Sequence, residues 1–409
     1  MKDTPKSLRL QIGIFGRTNV GKSSFLNMIL GQDFAITSPI PGTTTDVVEK
    51  TMELLPIGPV VFLDTAGVDD ASILSDKRLS KTKKILDRAD VGVIIFEADV
   101  WSNFEEAIIK ELKTRNIPTI AVINKVDKKP PTQNFISKLE EKLRSVILCS
   151  TVLPDKRDKY IEDFKKLLLK NLPDSFLKEK PLIGDIVQKK GLMLLVIPID
   201  FEAPKGRIIL PQVQVIRDAL DHDICTSIVK ESEYVDFLGK IKTPPDLVVC
   251  DSQVVDFVVS KTPKNVKCTT FSILFSRHKG DLKTAVESVY VLEKFTKDDR
   301  ILIAEACNHH PIEGDIGRKK IPFWLKKYLG FSPLIDVVAG RDYPEDLSKY
   351  KLVVHCGGCM ITQREMLSRI KKCTEMEVPI TNYGVIISYL HKVLDRVLEP
   401  FRNDLARQK

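Results

Sequence analysis

Gly16-Arg17-Thr18-Asn19-Val20-Gly21-Lys22-Ser23 is the stretch that decides the fold at the start of this 409-residue chain. It follows an apolar run, Leu8–Phe15, and leads into a helical pattern, Ser24–Leu30. Strand, glycine-rich turn and helix in that order are what a phosphate-binding loop requires. The turn lets the N–H groups from Gly16 through Ser24 close around phosphates, with Val20 anchoring the loop. Lys22 supplies a point charge and Ser23 offers a hydroxyl to Mg²⁺.

The remaining parts of a nucleotide site arrive in order at later strand ends. Asp64-Thr65-Ala66-Gly67 places a carboxylate near the metal and Gly67 near the terminal phosphate. Asn124-Lys125-Val126-Asp127 ends another apolar run, and the Asp127 carboxylate can accept two hydrogen bonds from guanine, a pattern adenine cannot offer. The expected ligand is therefore GTP. Ser150-Thr151 stands where a loop would back the guanine, although the usual pair there is Ser-Ala. Val68, after Gly67, has no amide to orient water, so Asp76 is the candidate for that role and slow intrinsic turnover is expected.

Working outward, short β-rich runs alternate with amphipathic stretches, which predicts an α/β chain with mainly parallel sheets. The runs are Val60–Asp64, Val91–Phe96, Thr119–Ile123 and Ser145–Cys149, then Gly191–Ile197, Asp223–Val229 and Leu247–Cys250. Thr270–Phe275, Arg300–Ala306, Leu334–Ala339 and Leu352–His355 complete them. The reading is a P-loop GTPase domain followed by two smaller α/β domains, with boundaries at 1–173, 180–268 and 269–409.

Composition narrows the class. Apolar content of 43% and charged content of 29% are those of a soluble globular protein. A net charge of +8, thinly spread, does not call for nucleic acid. No apolar run spans a bilayer and no secretory signal is visible, so the cytoplasm is the expected compartment. Of eight cysteines, Cys149, Cys225, Cys250 and Cys268 sit in apolar strand-like surroundings and read as core residues.

Three others, Cys307, Cys356 and Cys359, carry chemistry. Cys307-Asn308-His309 and His355-Cys356-Gly357-Gly358-Cys359 each follow a predicted strand, where open α/β sheets gather ligands. Thiolates three positions apart can chelate one centre, and the helix that follows favours the ionised form. Zinc held by Cys307, His309, Cys356 and Cys359 would be a closed Cys₃His site. A 4Fe–4S cluster on the three cysteines would leave one iron for another donor. The residues alone favour neither. Gly314-Asp315-Ile316-Gly317 has the outline of an RNA-clamping GXXG loop, but its acidic residues would repel phosphates.

The nucleotide motifs resemble translation-factor-related GTPases of the tRNA-modification and ribosome-assembly type. That resemblance implies that Gly42-Thr43-Thr44-Thr45-Asp46 is the first switch, with Thr44 a Mg²⁺ ligand beside Ser23 and Asp64. It also implies that Asn19 ligates K⁺, which would neutralise charge between the β- and γ-phosphates. The whole chain, including Glu313–Leu325, resembles the FeFe-hydrogenase maturation GTPase, or HydF, family. This second resemblance implies a homodimer whose Cys307, Cys356 and Cys359 ligate a 4Fe–4S cluster, with His309, His355 or Glu305 as further donors or close neighbours. It implies a scaffold that carries a di-iron precursor to apo FeFe-hydrogenase and works with radical-SAM maturases. An RNA-associated assembly GTPase with structural zinc is the alternative from another class.

Overall fold

The computed structural model describes residues 5–31, 48–64, 82–143, 145–173, 176, 180–199, 208–306, 315–340 and 343–406. The chain divides into two compact units, residues 1–179 and 180–409.

The first unit is built on a six-stranded sheet. Its strands are β1 (Leu10–Phe15), β2 (Val48–Leu54), β3 (Gly58–Asp64), β4 (Val91–Glu97), β5 (Thr119–Asn124) and β6 (Val146–Leu148), in the spatial order β2-β3-β1-β4-β5-β6. All pairings are parallel except β2 with β3. β1 and β5 are buried along their whole length, as expected of strands covered on both faces by crossover helices. One apolar cluster containing Leu10, Ile12, Phe25 and Phe164 fills one face, and another containing Phe15, Ile94, Ile109 and Leu139 fills the other. β2 was not foreseen: its VEKTMEL sequence carries three charges, because an edge strand buries little beyond Met52 and Leu54.

The second unit holds two four-stranded, all-parallel sheets. The first has the order β10-β9-β7-β8, formed by β7 (Leu192–Val196), β8 (Cys225–Val229), β9 (Leu247–Cys250) and β10 (Lys267–Thr270). The other has the order β12-β11-β13-β14, formed by β11 (Arg300–Ala304), β12 (Leu334–Val338), β13 (Leu352–His355) and β14 (Ile380–Asn382). One continuous apolar core, running from Leu182 to Phe401, serves both sheets.

Two expectations are corrected here. Thr270–Phe275 is not a strand, because β10 stops at Thr270 and residues Phe271–Lys279 are helical. The Thr270 hydroxyl accepts the Ile273 N–H at 3.2 Å and caps that helix. Phe271, Ile273, Leu274 and Phe275 are all buried, so the run has no polar face to reveal a helical period. Cys225 is not a core residue, since it is exposed at the start of the edge strand β8.

Among the described residues, no helix is long and apolar enough to cross a membrane.

Candidate functional site

The phosphate loop joins β1 to the helix Lys22–Leu30. Gly21 is the residue before that helix and has a left-handed backbone, φ 96°. A β-carbon there would lie 2.2 Å from Asn124 Nδ2, so both conformation and space demand glycine. Asn19 is also left-handed, φ 63°, and stands exposed with Ser23 and Ser24. Lys22 Nζ donates to the carbonyls of Gly16 at 3.0 Å and Arg17 at 2.8 Å, which folds it over the loop.

The nucleotide motifs at β3 and β5 converge on this loop. Asp64 ends β3, is buried and lies beside Ile14 of β1. Asn124 ends β5 and donates from Nδ2 to the Val20 carbonyl at 2.9 Å, tying the base-recognition segment to the phosphate segment. Lys125 has a left-handed backbone, φ 61°, which turns the chain so that Asp127 is exposed. The buried Ser150 hydroxyl donates to Asp127 Oδ1 at 2.5 Å and so aims that carboxylate. Thr151 follows, half-buried. Burial first, and the nearby Asp127 charge second, push the Cys149 thiol up to about 12, so it is inert packing behind the guanine segment.

Arg17 was not singled out from the sequence. Its Nε donates to Glu105 Oε1 at 2.7 Å, and Glu105 is fully buried. The same carboxylate accepts the Ser102 N–H at 2.8 Å in a capping box at the start of helix Asn103–Thr114. The Ser-x-x-Glu spacing of Ser102 and Glu105 was the available signal. Thr44, Gly67 and Asp76 lie outside the described residues.

The cysteine turn leaves the carboxyl end of β13, beside the end of β11. Cys356 N–H donates to the Ala304 carbonyl at 2.9 Å, and the Ala306 N–H donates to Cys356 Sγ at 3.1 Å. The Cys356 sulfur thus accepts a backbone donor, a setting that suits a thiolate ligand. Burial raises both thiols, Cys359 to about 11, so without metal they hold their protons.

His355 is buried and neutral. Burial first and the Arg369 charge second lower it to about 3. Its Nδ1 donates to the Cys356 carbonyl at 2.7 Å, and its Nε2 accepts from Arg369 at 3.0 Å. Both ring nitrogens are engaged, so ligation would require it to give up one of these bonds. Glu305 is buried and accepts from Arg318 Nη2 at 3.2 Å.

Cys307 and His309 lie outside the described residues. Among the described residues, no group of three or more His, Cys, Asp or Glu side chains is gathered as for a metal ion. A small cavity of about 30 Å³ opens beside Cys356 and Gly357, walled also by Ser276, Thr284, Thr381 and Asn382. The Asn382 Nδ2 amide is buried with no partner among the described residues. Gly317 packs against Tyr383 and Glu305, and a β-carbon there would lie 2.1 Å from the Tyr383 hydroxyl. With Asp315 buried and accepting the Arg318 N–H at 2.8 Å, the GXXG outline is a packed turn.

A P-loop sheet with the Lys22, Asp64 and Asn124–Asp127 segments at its strand ends defines a GTPase, here joined to two parallel α/β sheets. Residues 11–125 match the family model described as a 50S ribosome-binding GTPase. Residues 182–280 match the hydrogen maturase F dimerization domain, and residues 283–400 match the hydrogen maturase F tetramerization domain. The chain belongs to the hydrogen maturase F family and carries a GTPase domain.

Its GTPase part is shared more widely. The tRNA modification GTPase MnmE of Prochlorococcus marinus (strain NATL1A) is 42% identical over 120 residues, covering 29% of this chain and 25% of that protein. The GTPase Era of Aquifex aeolicus (strain VF5) is 30% identical over 200 residues, covering 45% of this chain and 66% of that one. The chain therefore spans about a quarter of the length of the MnmE relative. A crystal structure of an A. aeolicus Era variant bound to GDP.AlF4- is 20% identical with a TM-score of 0.32, covering 54% of this chain and 92% of that one.

Proposed function

We propose that this chain is a GTP-regulated scaffold that binds a 4Fe–4S cluster through Cys307, Cys356 and Cys359 and carries a di-iron precursor to apo FeFe-hydrogenase. The observation that carries the reading is the Ala306 N–H bonded to Cys356 Sγ, because Cys307 is joined to Ala306 by the next peptide bond. Cys307 lies outside the described residues, and on this reading the ends of β11 and β13 would supply the three thiols together.

The donor set fits such a cluster. The Cys356 sulfur accepts the Ala306 N–H, and among the described residues no carboxylate is hydrogen-bonded to it or to the Cys359 sulfur. The cluster would supply an iron on which cargo docks. The chain's own part is to hold the thiolates, to keep His355 neutral by burial and by Arg369, and to line the small cavity beside Cys356 with the spare Asn382 amide. GTP would bind with Mg²⁺ on Ser23, Asp64 and Thr44, and with K⁺ on Asn19. Hydrolysis would change the segments holding Thr44 and Gly67, and so bias partner binding rather than drive chemistry at the cluster.

Self-association has a candidate surface in the edge strand β8, where Ile228 is exposed, and in Val213 and Leu220 on the preceding helix. An unpaired edge beside apolar side chains is a template for pairing with a second copy.

The test is transfer. The chain is reconstituted anaerobically, loaded with the di-iron precursor, freed of excess and mixed with apo FeFe-hydrogenase. Hydrogen evolution is expected from the parent chain, and background evolution from Cys356→Ser. Equal activation by both proteins would refute the carrier reading.

A further inference from the structure

Lys279 is the last residue of the helix Phe271–Lys279, and only 2% of it is exposed. Its Nζ donates to the carbonyls of Gly358 at 3.5 Å, Cys359 at 3.3 Å and Ile361 at 3.0 Å. The Phe275 ring lies 5.5 Å from the ammonium. A single buried cation therefore gathers three carbonyls of the turn that carries both described site cysteines.

Those carbonyls belong to residues 358, 359 and 361, so the ammonium is held against the backbone on both sides of Cys359, and its charge acts on the Cys359 sulfur.

We infer that Lys279 is a positioning residue for the cluster at Cys356 and Cys359: it fixes the turn that carries both cysteines through three of its carbonyls, and its charge raises the reduction potential of the bound cluster. The inference rests on the cluster reading proposed above. An added electron makes the cluster more negative, so a nearby fixed cation favours the reduced form.

The test uses the full chain, reconstituted with ferrous iron and sulfide and titrated with dithionite against mediators. The paramagnetic signal of the reduced cluster is the readout. Lys279→Gln keeps a hydrogen-bond donor but loses the charge, whereas Lys279→Arg keeps both. At the poise where half of the parent cluster is reduced, the ratio of reduced to oxidised cluster is expected to fall at least tenfold in Lys279→Gln. That is about 59 mV for a one-electron couple. Lys279→Arg is expected to stay within threefold of the parent.

A Lys279→Gln ratio within twofold of the parent overturns the inference. If Lys279→Gln loses iron and GTP turnover together, it has misfolded and Lys279→Arg decides: a ratio within threefold supports the inference, and a larger shift overturns it. A parent chain with no reducible signal overturns the cluster reading itself, and this inference with it.

Discussion

Gly21→Ala is the substitution whose consequences can be worked through most fully. The backbone at position 21 is left-handed, which costs a non-glycine residue about 1–2 kcal/mol. The new methyl would stand 2.2 Å from Asn124 Nδ2, so the Asn124 side chain must move and release the Val20 carbonyl that it holds at 2.9 Å. Leaving such a buried group unsatisfied costs about 1–3 kcal/mol. The total of about 2–5 kcal/mol has two places to appear. If the loop keeps its shape, the strain is common to free and bound protein, and unfolding free energy falls by the full amount. If the loop relaxes to relieve the strain, stability recovers and guanine-nucleotide affinity falls instead, by roughly 30- to 4000-fold at the limits. Titration calorimetry with GDP and denaturant unfolding of the same sample measure both terms, and their sum is the predicted quantity. A variant whose stability and affinity both lie within about 0.5 kcal/mol of the parent, well inside what neighbouring surface substitutions do, would refute the argument.

Three further outcomes are expected. Lys22→Ala removes the charge folded over the Gly16 and Arg17 carbonyls; GTP turnover should drop by roughly 10²–10³ while iron content after reconstitution is unchanged, and loss of both would mean that the two units do not act separately. GTP turnover should be faster in potassium than in sodium at equal ionic strength, and Asn19→Ala should erase the difference; a parent chain indifferent to the cation removes the role proposed for Asn19. Asp404 gives a pH dependence. Burial raises its carboxyl, but Arg277 and Lys180 outweigh that and hold it below the usual range. A carboxyl depressed in the folded state adds stability above its unfolded value near 3.8, which is lost as pH falls through the lower folded value. Parent stability should therefore fall more steeply than that of Asp404→Asn as pH falls below the unfolded value of 3.8, and parallel profiles in denaturant titrations would contradict the assignment.

The nucleotide half of the site was legible because each of its parts is local. Asn124 and Asp127 end an unbroken apolar strand, and Gly16–Ser23 bridges strand and helix, so spacing along the chain carries the geometry. The cysteine turn was legible for the same reason, since Cys356 follows directly on β13. What escaped came from afar or from patterns with two readings. Lys279 reaches the turn from 79 to 82 residues away, and no local signal marks it beyond a basic helix end. Arg369 stands four residues after Glu365, a spacing that also marks exposed helix faces, yet it is buried and holds His355. Thr270–Phe275 misled because a helix buried on every side shows no period. β2 was missed because an edge strand is free to carry charge.

The account depends most on thiols of the second unit sharing an iron–sulfur cluster, and the direct measurement is metal and sulfide content with low-temperature paramagnetic resonance after anaerobic reconstitution. The parent chain should bind iron and sulfide in equal amounts and give a 4Fe–4S signal when reduced, and Cys307→Ser, Cys356→Ser and Cys359→Ser should each lose it. Tightly held zinc in place of iron, or a signal that survives in all three variants, would contradict the account.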